Sequence, residues 1–164
     1  MSAVETSVVE ARVRAALEAV VDPEIPSCRI VDLGIVEDVR VSDDTVEIDL
    51  LPTFIGCPAL DVIRSDVQTA VATPAEGRVV RVRFLMDRPW TTDRITDRAK
   101  AAMAEVGIAP PGDRTRVTLV QIRVPCPYCG APDTSHESTF GPTLCRSIRY
   151  CTSCRNPIEA FKPK

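Results

Sequence analysis

The sequence predicts a small two-layer α+β domain followed by a compact ribbon that holds a metal ion. Three observations lead to this prediction. Apolar residues recur at helical spacing in three segments, they alternate with polar residues in three others, and five of the seven cysteines fall in the last 39 residues. At roughly 150 residues per domain, a chain of 164 residues allows one domain and one small module. We expect the domain at 1–124 and the ribbon at 125–164.

Three segments have the periodicity of amphipathic helices. The first opens with a capping-box pattern at Ser7-Val-Val-Glu10 and stops before Pro23. The second begins at Cys57 and ends before Pro74, and the third ends at Gly107. Their apolar faces are Val9, Val13, Leu17 and Val20 in the first helix, Leu60, Ile63, Val67 and Val71 in the second, and Ile95, Ala99, Met103 and Val106 in the third.

Alternation of apolar and polar residues predicts the strands. Residues 35–41 and 45–51 flank the turn sequence Ser42-Asp43-Asp44 and predict a β-hairpin. A third strand covers 80–84, where apolar residues alternate with arginine, and residues 115–124 predict a last extended run. This order of elements, without a G-x-G-x-x-G turn, excludes a dinucleotide-binding Rossmann sheet and favours a two-layer α+β domain.

Composition and charge exclude several classes of partner. The chain has 20 basic and 23 acidic residues, a net charge of −3, so an electrostatic clamp on nucleic acid or an anionic membrane is not expected. No apolar stretch approaches the ~20 residues that span a bilayer. The first twenty residues contain Glu5, Glu10 and Glu18 and do not have the pattern of a signal peptide. We therefore expect a cytoplasmic protein.

Two C-x-x-C pairs dominate the second module. Cys126 and Cys129 form the first pair, Cys151 and Cys154 form the second, and 21 residues separate the inner cysteines. Each pair can present two thiolates from one tight turn, and both pairs together complete a tetrahedral shell with Zn–S distances of ~2.3 Å. A closed shell has no position for water, so we expect a structural zinc that supplies the folding free energy a small module lacks.

Other interpretations of the cysteines stay open from spacing alone. Iron in the same shell would make a rubredoxin-like electron carrier, and pairwise disulfides would make a cross-linked knot, which a reducing compartment disfavours. Cys145 is a fifth thiol that could replace a ligand. His136, the single histidine, is a further candidate ligand, but we expect it to be an exposed loop residue.

Gly56-Cys57-Pro58 is the chemically interesting sequence of the first domain. The proline suits the first position of a helix, which would make Cys57 the N-cap, where the helix dipole favours a thiolate that binds or relays a soft metal. A buried, inert cysteine is the alternative. Thr53, Asp32 and Asp87 could add oxygen ligands at the same end of the sheet.

The same residues carry a resemblance to known families. The first domain resembles the MIP18-type (DUF59) domain, which is associated with iron–sulfur cluster assembly. Its motifs here are Asp22-Pro-Glu-Ile-Pro26, Val31-Asp-Leu-Gly-Ile-Val36, Pro52-Thr53 with Gly56-Cys57-Pro58, and Asp87 with Trp90-Thr91-Thr92-Asp93. The tail resembles the PaaD family, the D components encoded with bacterial phenylacetyl-CoA epoxidase. Its motifs here are Cys126-Pro-x-Cys129, Phe140-Gly-Pro-Thr-x-Cys145, and Cys151-x-x-Cys154-Arg followed by Phe161-Lys162.

The resemblance implies an accessory role in aerobic phenylacetate catabolism. The epoxidase adds one oxygen atom to the ring of phenylacetyl-CoA, using a di-iron oxygenase subunit and a reductase with flavin and a 2Fe–2S cluster. PaaD-like proteins are implied to help assemble a metal centre there, with the reductase as the expected client. Cys57 matches the family's suspected reactive thiol, which would hold transient iron or a cluster beside Thr53 and Asp32. The four ribbon cysteines match zinc positions, and Cys145 matches a further family cysteine as an auxiliary candidate.

We therefore predict a metallocentre maturation factor without an active site of its own. A single histidine, with no Ser-His-Asp arrangement, no H-E-x-x-H and no Walker loop, leaves few groups for hydrolysis or phosphoryl transfer. The alternatives are a stably bound structural subunit of the oxygenase complex and a rubredoxin-like electron carrier. The expected partners are the epoxidase components, without nucleic acid or membrane, and self-association as a homodimer stays open.

Overall fold

The computed structural model describes residues 3–112, 123–132 and 134–164. These residues form two compact units that divide between Trp90 and Thr91. The predicted extended run at 115–124 lies mostly outside the described residues, and the predicted boundary between residues 124 and 125 stays a prediction. Among the described helices, none has the length and apolar character needed to cross a bilayer.

The first unit contains a three-stranded sheet. β1 (Val36–Val41) and β2 (Thr45–Leu50) are antiparallel, β3 (Val79–Phe84) lies parallel to β2, and the order is β1-β2-β3. The turn between β1 and β2 is held by Ser42, whose backbone N–H donates to the carbonyl of Thr45 at 2.8 Å. The predicted hairpin and the predicted third strand are therefore confirmed.

Two helices cover one face of this sheet. α1 (Ala3–Leu17) packs against β1 and against α2 (Leu60–Val71), which also packs against β3. The predicted two-layer α+β fold is confirmed. The buried core combines both helices with the strands and includes Val9, Val13, Leu17, Val46, Ile48, Leu50, Ile63, Val67 and Val71.

Both predicted helix starts in this unit are wrong. α1 begins at Ala3, so the Ser7 position lies inside the helix and does not cap it, because no helix-breaking residue precedes it. α2 begins at Leu60, and its N-cap is Ala59 instead of Cys57. The reason is a separate turn before the helix, in which the backbone N–H of Leu60 donates to the carbonyl of Cys57 at 3.4 Å.

The opposite face of the sheet carries a buried carboxylate between two arginines. Asp49 is 4% exposed, its Oδ1 accepts from Arg83 Nε at 2.5 Å, and its Oδ2 lies 2.9 Å from Arg40 Nη1. The hydrogen bond from Arg83 is the main cause that lowers the pKa of Asp49 to about 2, against the effect of burial and with help from Arg40. The three strands are thus joined by charge as well as by their backbone ladder.

The second unit contains the remaining elements. A 3-10 turn (Thr92–Arg94) precedes α3 (Asp97–Glu105), and a four-stranded sheet has the order β4-β7-β6-β5. The strands are β4 (Ile108–Ala109), β5 (Ser135–Ser138), β6 (Arg146–Tyr150) and β7 (Pro157–Phe161). β7 lies parallel to β4 and antiparallel to β6, which is antiparallel to β5.

α3 agrees with the prediction except at its end. The side chain of Thr96 caps it by accepting a hydrogen bond from the backbone N–H of Ala99 at 3.2 Å. Ala99 and Met103 are buried as predicted, but Val106 is 55% exposed because the helix has already ended at Glu105. Gly107 follows with a φ of 81°, the left-handed conformation that glycine adopts readily after a helix.

Candidate metal centre

The first C-x-x-C segment folds as a tight knuckle. The backbone N–H of Cys126 donates to the carbonyl of Ala131 at 2.9 Å, and the N–H of Gly130 donates back to the carbonyl of Cys126 at 3.0 Å. Gly130 has a φ of 72°, which the return of the chain requires. The turn directs the two cysteines of the pair toward a common point.

The second segment repeats this knuckle at the same relative positions. The N–H of Cys151 donates to the carbonyl of Asn156 at 3.0 Å, and the N–H of Arg155 donates to the carbonyl of Cys151 at 2.8 Å. Arg155 has the positive φ, 60°, at the position that glycine occupies in the first knuckle. An L-residue with a Cβ is strained there by about 1 kcal/mol or more, so the second knuckle keeps its shape at an energetic cost.

The two knuckles bring all four predicted ligands together. Their sulfur atoms lie within 4.8 Å of one another, with 3.6 Å between Cys126 and Cys154 and 3.7 Å between Cys129 and Cys151. A tetrahedral ion with Zn–S distances of ~2.3 Å would separate its sulfurs by about 3.8 Å. A disulfide would separate them by only about 2.0 Å. The spacing fits a four-coordinate metal and does not fit pairwise disulfides.

The four thiols are embedded to different depths. Cys126 and Cys151 are buried, Cys154 is half-buried and Cys129 is exposed. The two buried cysteines pack in an apolar cluster with Ala109, Val124, Ile158 and Ala160. This cluster is small for a unit of this size, so a bound metal would supply much of its cohesion.

The thiols also influence one another electrostatically. Burial raises the pKa of Cys154, but hydrogen bonds from Asn156 and from the neighbouring thiols lower it to about 6. A backbone hydrogen bond with Ala131 lowers the pKa of Cys129, but burial and hydrogen bonds with the other three cysteines raise it to about 12. Four thiolates cannot form this close together without a cation, and a coordinated metal supplies that charge.

The two auxiliary candidates lie apart from this centre. The sulfur of Cys145 is buried and lies 3.1 Å from Oγ1 of Thr143. His136 is exposed as predicted, but it lies on β5 and not in a loop. Within the described residues, the metal-binding group contains neither of them. Sequence reasoning did not single out Asn156, whose side-chain amide lies 3.5 Å from the sulfur of Cys154.

The segments that carry the candidate residues of the first unit lie at one edge of its sheet. β2 and β3 are parallel and end at this edge, where β1 begins, so the segments 31–35, 51–59 and 85–90 lie there. Two backbone hydrogen bonds of 2.8 Å hold the segments, from Leu51 to Ile35 and from Leu85 to Leu50. Topology therefore brings together residues that are far apart in sequence.

At this edge the four candidates differ in exposure. Asp32 is buried, Thr53 and Cys57 are half-buried, and Asp87 is exposed. The backbone N–H of Cys57 donates to the carbonyl of Phe54 at 3.1 Å, which places the cysteine in a turned loop before α2. These residues do not form a preformed metal-binding group in the part of the chain that the structure describes. The edge offers one accessible thiol, and carboxylate and hydroxyl groups on the neighbouring segments.

Trp90 lies at the same edge, at the end of the segment 85–90. Its ring is buried, and its Nε1–H donates to the carbonyl of Leu33 at 2.8 Å. Asp22 also has a structural role, since its Oδ1 accepts from the backbone N–H groups of Glu24 and Ile25 at 2.8 and 2.9 Å. The proline-rich turn at 22–26 is therefore held by its own aspartate.

Comparisons with known proteins agree with both units. The model of the iron–sulfur cluster assembly protein family matches residues 10–84, and that of the PaaD zinc beta ribbon domain matches residues 110–162. The chain is 36% identical to the D component of 1,2-phenylacetyl-CoA epoxidase of Escherichia coli, over 90% of this chain and 89% of that protein.

Further relatives match about half to two thirds of the chain. The chain is 38% identical to the Fe-S protein maturation auxiliary factor YitW of Bacillus subtilis, over 54% of this chain and 86% of that protein. It is also similar to the crystal structure of a DUF59 domain from Bacillus anthracis, with a TM-score of 0.56 and 34% identity, covering 62% of this chain and 97% of that one. The chain therefore belongs to the PaaD family, in which an iron–sulfur cluster assembly domain of the DUF59 type is joined to a zinc ribbon.

Proposed function

We propose that this chain is a maturation factor for a metal centre of phenylacetyl-CoA epoxidase and does not itself catalyse the epoxidation. The observation that carries the proposal is the joining of two modules in one chain. The first is similar to an Fe-S protein maturation auxiliary factor, and the whole chain is similar to the D component of the epoxidase. One module would handle iron or a cluster, and the other would direct it to the epoxidase.

In this proposal Cys57 is the residue that holds the cargo. Thiolate is the ligand that iron–sulfur clusters prefer, and Cys57 is half-buried in a loop at the sheet edge, where a client can reach it. Thr53 and Asp32 lie at the same edge, on neighbouring segments, and could donate or accept hydrogen bonds beside the bound iron. A single thiol binds a cluster weakly, which suits a step that must release its cargo.

The ribbon has a structural task in the same proposal. Cys126, Cys129, Cys151 and Cys154 would hold one zinc ion in a closed shell, and their sulfur distances support this ligand set. Zinc has no redox chemistry and, with four protein ligands, no place for a substrate. It would make the second unit a rigid body for contact with the client in the cytoplasm.

The expected client is the reductase component, because its 2Fe–2S cluster is the product such a factor would deliver. The test is reconstitution of the metal-free reductase without oxygen, in the presence of this chain. Cys57→Ser should lower the cluster occupancy of the reductase while leaving the zinc content of the chain unchanged. Cys28→Ala removes a buried thiol of the same unit and is the matched control. Wild-type occupancy with Cys57→Ser would refute the role of Cys57.

A second candidate is a stably bound structural subunit, which the name of the Escherichia coli relative, as one of the subunits of the epoxidase, favours. Copurification with the oxygenase at fixed stoichiometry would support it, and release of this chain after cluster insertion would support maturation. Iron in the ribbon would instead support electron transfer. Elemental analysis and a visible spectrum decide this point, because a ferric four-thiolate site is red and a zinc site is colourless.

A further inference from the structure

The connection between β5 and β6 exposes an aromatic ring. We call residues 139–145 the ribbon tip. Phe140 in this tip is 82% exposed, more than any other large hydrophobic residue among those described, and Leu144 on the same tip is 42% exposed. An exposed aromatic ring of this size contributes no free energy of burial to the fold. That free energy becomes available when the ring is buried against a partner.

Phe140 lies in a turn whose backbone is fixed by hydrogen bonds. The hydroxyl of Ser138 donates to the carbonyl of Phe140 at 3.0 Å and accepts from its backbone N–H, also at 3.0 Å. The N–H of Gly141 donates to the carbonyl of Arg146 at 3.1 Å. A Cβ at Gly141 would lie 2.8 Å from that same oxygen, so only glycine allows the approach. Little conformational entropy is left for a partner to remove from the backbone of this turn.

The surroundings of the tip are basic. The Nζ of Lys162 donates to the carbonyl of Leu144 at 2.9 Å, which places an ammonium group at the tip. Lys164 follows two residues later; burial is the main cause that lowers the pKa of its ammonium group, Cys145 raises that pKa, and the charge of Lys162 lowers it further. Residues 126–164 hold five basic and three acidic groups, a net +2 before any charge on the cysteines, in a chain of −3. Glu159, the acidic residue nearest in sequence to the two lysines, is paired with Arg146.

We infer that the ribbon tip, with Phe140 and Leu144 as apolar contacts and Lys162 and Lys164 beside them, docks on a partner protein. The partner would have an apolar pocket for the ring and carboxylates at its rim. Aromatic anchors of this kind dominate the affinity of protein interfaces, and complementary charge accelerates their formation. The inference rests on the proposed function in taking the partner to be an epoxidase component.

The test measures the affinity of the full-length chain for each purified epoxidase component. Phe140→Ala should weaken binding to one of them by about tenfold or more. Lys162→Gln combined with Lys164→Gln should weaken it at low salt and reduce its salt dependence. Val62→Ala removes an exposed apolar side chain from α2, and Lys100→Gln removes a lysine from α3; both should bind like the wild type. Metal content and thermal unfolding should be unchanged in all variants.

Three results would overturn this inference. They are unchanged affinity of Phe140→Ala, absence of binding to every component, and self-association of the wild type that Phe140→Ala abolishes. The outcome is separate from that of the proposed function. Cys57→Ser should bind the client normally and fail in cluster delivery, whereas Phe140→Ala should deliver again when supplied in excess. If Phe140→Ala loses affinity while Cys57→Ser delivers the cluster fully, the docking site is supported and the role of Cys57 in delivery is refuted.

Discussion

The sulfur atoms of Cys126 and Cys154 lie 3.6 Å apart, although 27 residues lie between them in the chain. They belong to two knuckles with matching backbone hydrogen bonds. In the chain, one knuckle precedes β5 and the other follows β6. A metal between them would connect the start of the ribbon to the turn before β7. The stability of the second unit should therefore depend on that metal.

Removal of the metal tests this dependence. A zinc chelator, or Cys126→Ser, should unfold much of the second unit, since structural zinc contributes on the order of 10 kcal/mol to the folding of such ribbons. Circular dichroism with parallel zinc quantification would detect the change. Cys145→Ala is the control, because it removes a thiol outside the cluster. A chain that keeps its melting curve after complete loss of zinc would contradict the prediction.

The two knuckles offer a matched pair of backbone substitutions. Arg155→Gly should stabilise the metal-bound protein by up to about 1 kcal/mol, because glycine adopts a positive φ without steric strain. Gly130→Ala should destabilise it by about 1 kcal/mol for the converse reason, although the space beside Gly130 is open. Chemical unfolding of both variants at saturating zinc measures these effects. Shifts of the same sign in both variants would refute the interpretation.

The buried carboxylate of the first unit predicts a pH dependence. The pKa of Asp49 in the folded chain is lowered from 3.8 to about 2, mainly by the hydrogen bond from Arg83. A depressed pKa means that Asp49 stabilises the fold fully above pH ~4, and that this contribution is lost as the pH falls through ~2. We expect about 1 to 2 kcal/mol, reduced by the exposure of both arginines to solvent.

Asp49→Asn isolates this contribution. Urea unfolding should show the variant to be less stable than the wild type at pH 7, with a difference that shrinks as the solution is acidified toward pH ~2. Asp66→Asn changes an exposed carboxylate on α2 and should leave stability within about 0.5 kcal/mol at each pH. A difference between Asp49→Asn and wild type that does not vary with pH would refute the assignment.

Trp90 is the only tryptophan of the chain and reports on the first unit. Trp90→Phe keeps an aromatic ring but leaves the carbonyl of Leu33 without the indole N–H at 2.8 Å. We expect a loss of about 1 to 3 kcal/mol, the cost of an unsatisfied buried polar group together with a smaller ring. Unfolding is followed by circular dichroism in both proteins, because the variant has no indole fluorescence. Equal stability would show that the hydrogen bond contributes little.

Patterns that extend over a few residues are encoded locally in the sequence. The helical faces, the β-hairpin and the four ribbon cysteines follow from spacing, because periodicity and tight turns depend on neighbours within one or two turns of chain. The resemblance of the motifs to the PaaD family can likewise be recognised from the residues alone. The predicted starts of α1 and α2 were wrong, because helix ends depend on which competing turn forms, and local signals decide that weakly.

Long-range placement required the folded chain. The parallel pairing of β2 with β3 decides that Asp87 and Trp90 reach the same edge of the sheet as Asp32, Thr53 and Cys57, and no local pattern encodes that pairing. The exposure of Phe140 is equally invisible in the sequence, where an aromatic residue after a strand suggests core packing as readily as a surface. Whether a side chain is buried depends on contacts with elements that are distant in sequence. Those contacts exist only once all the elements have packed together.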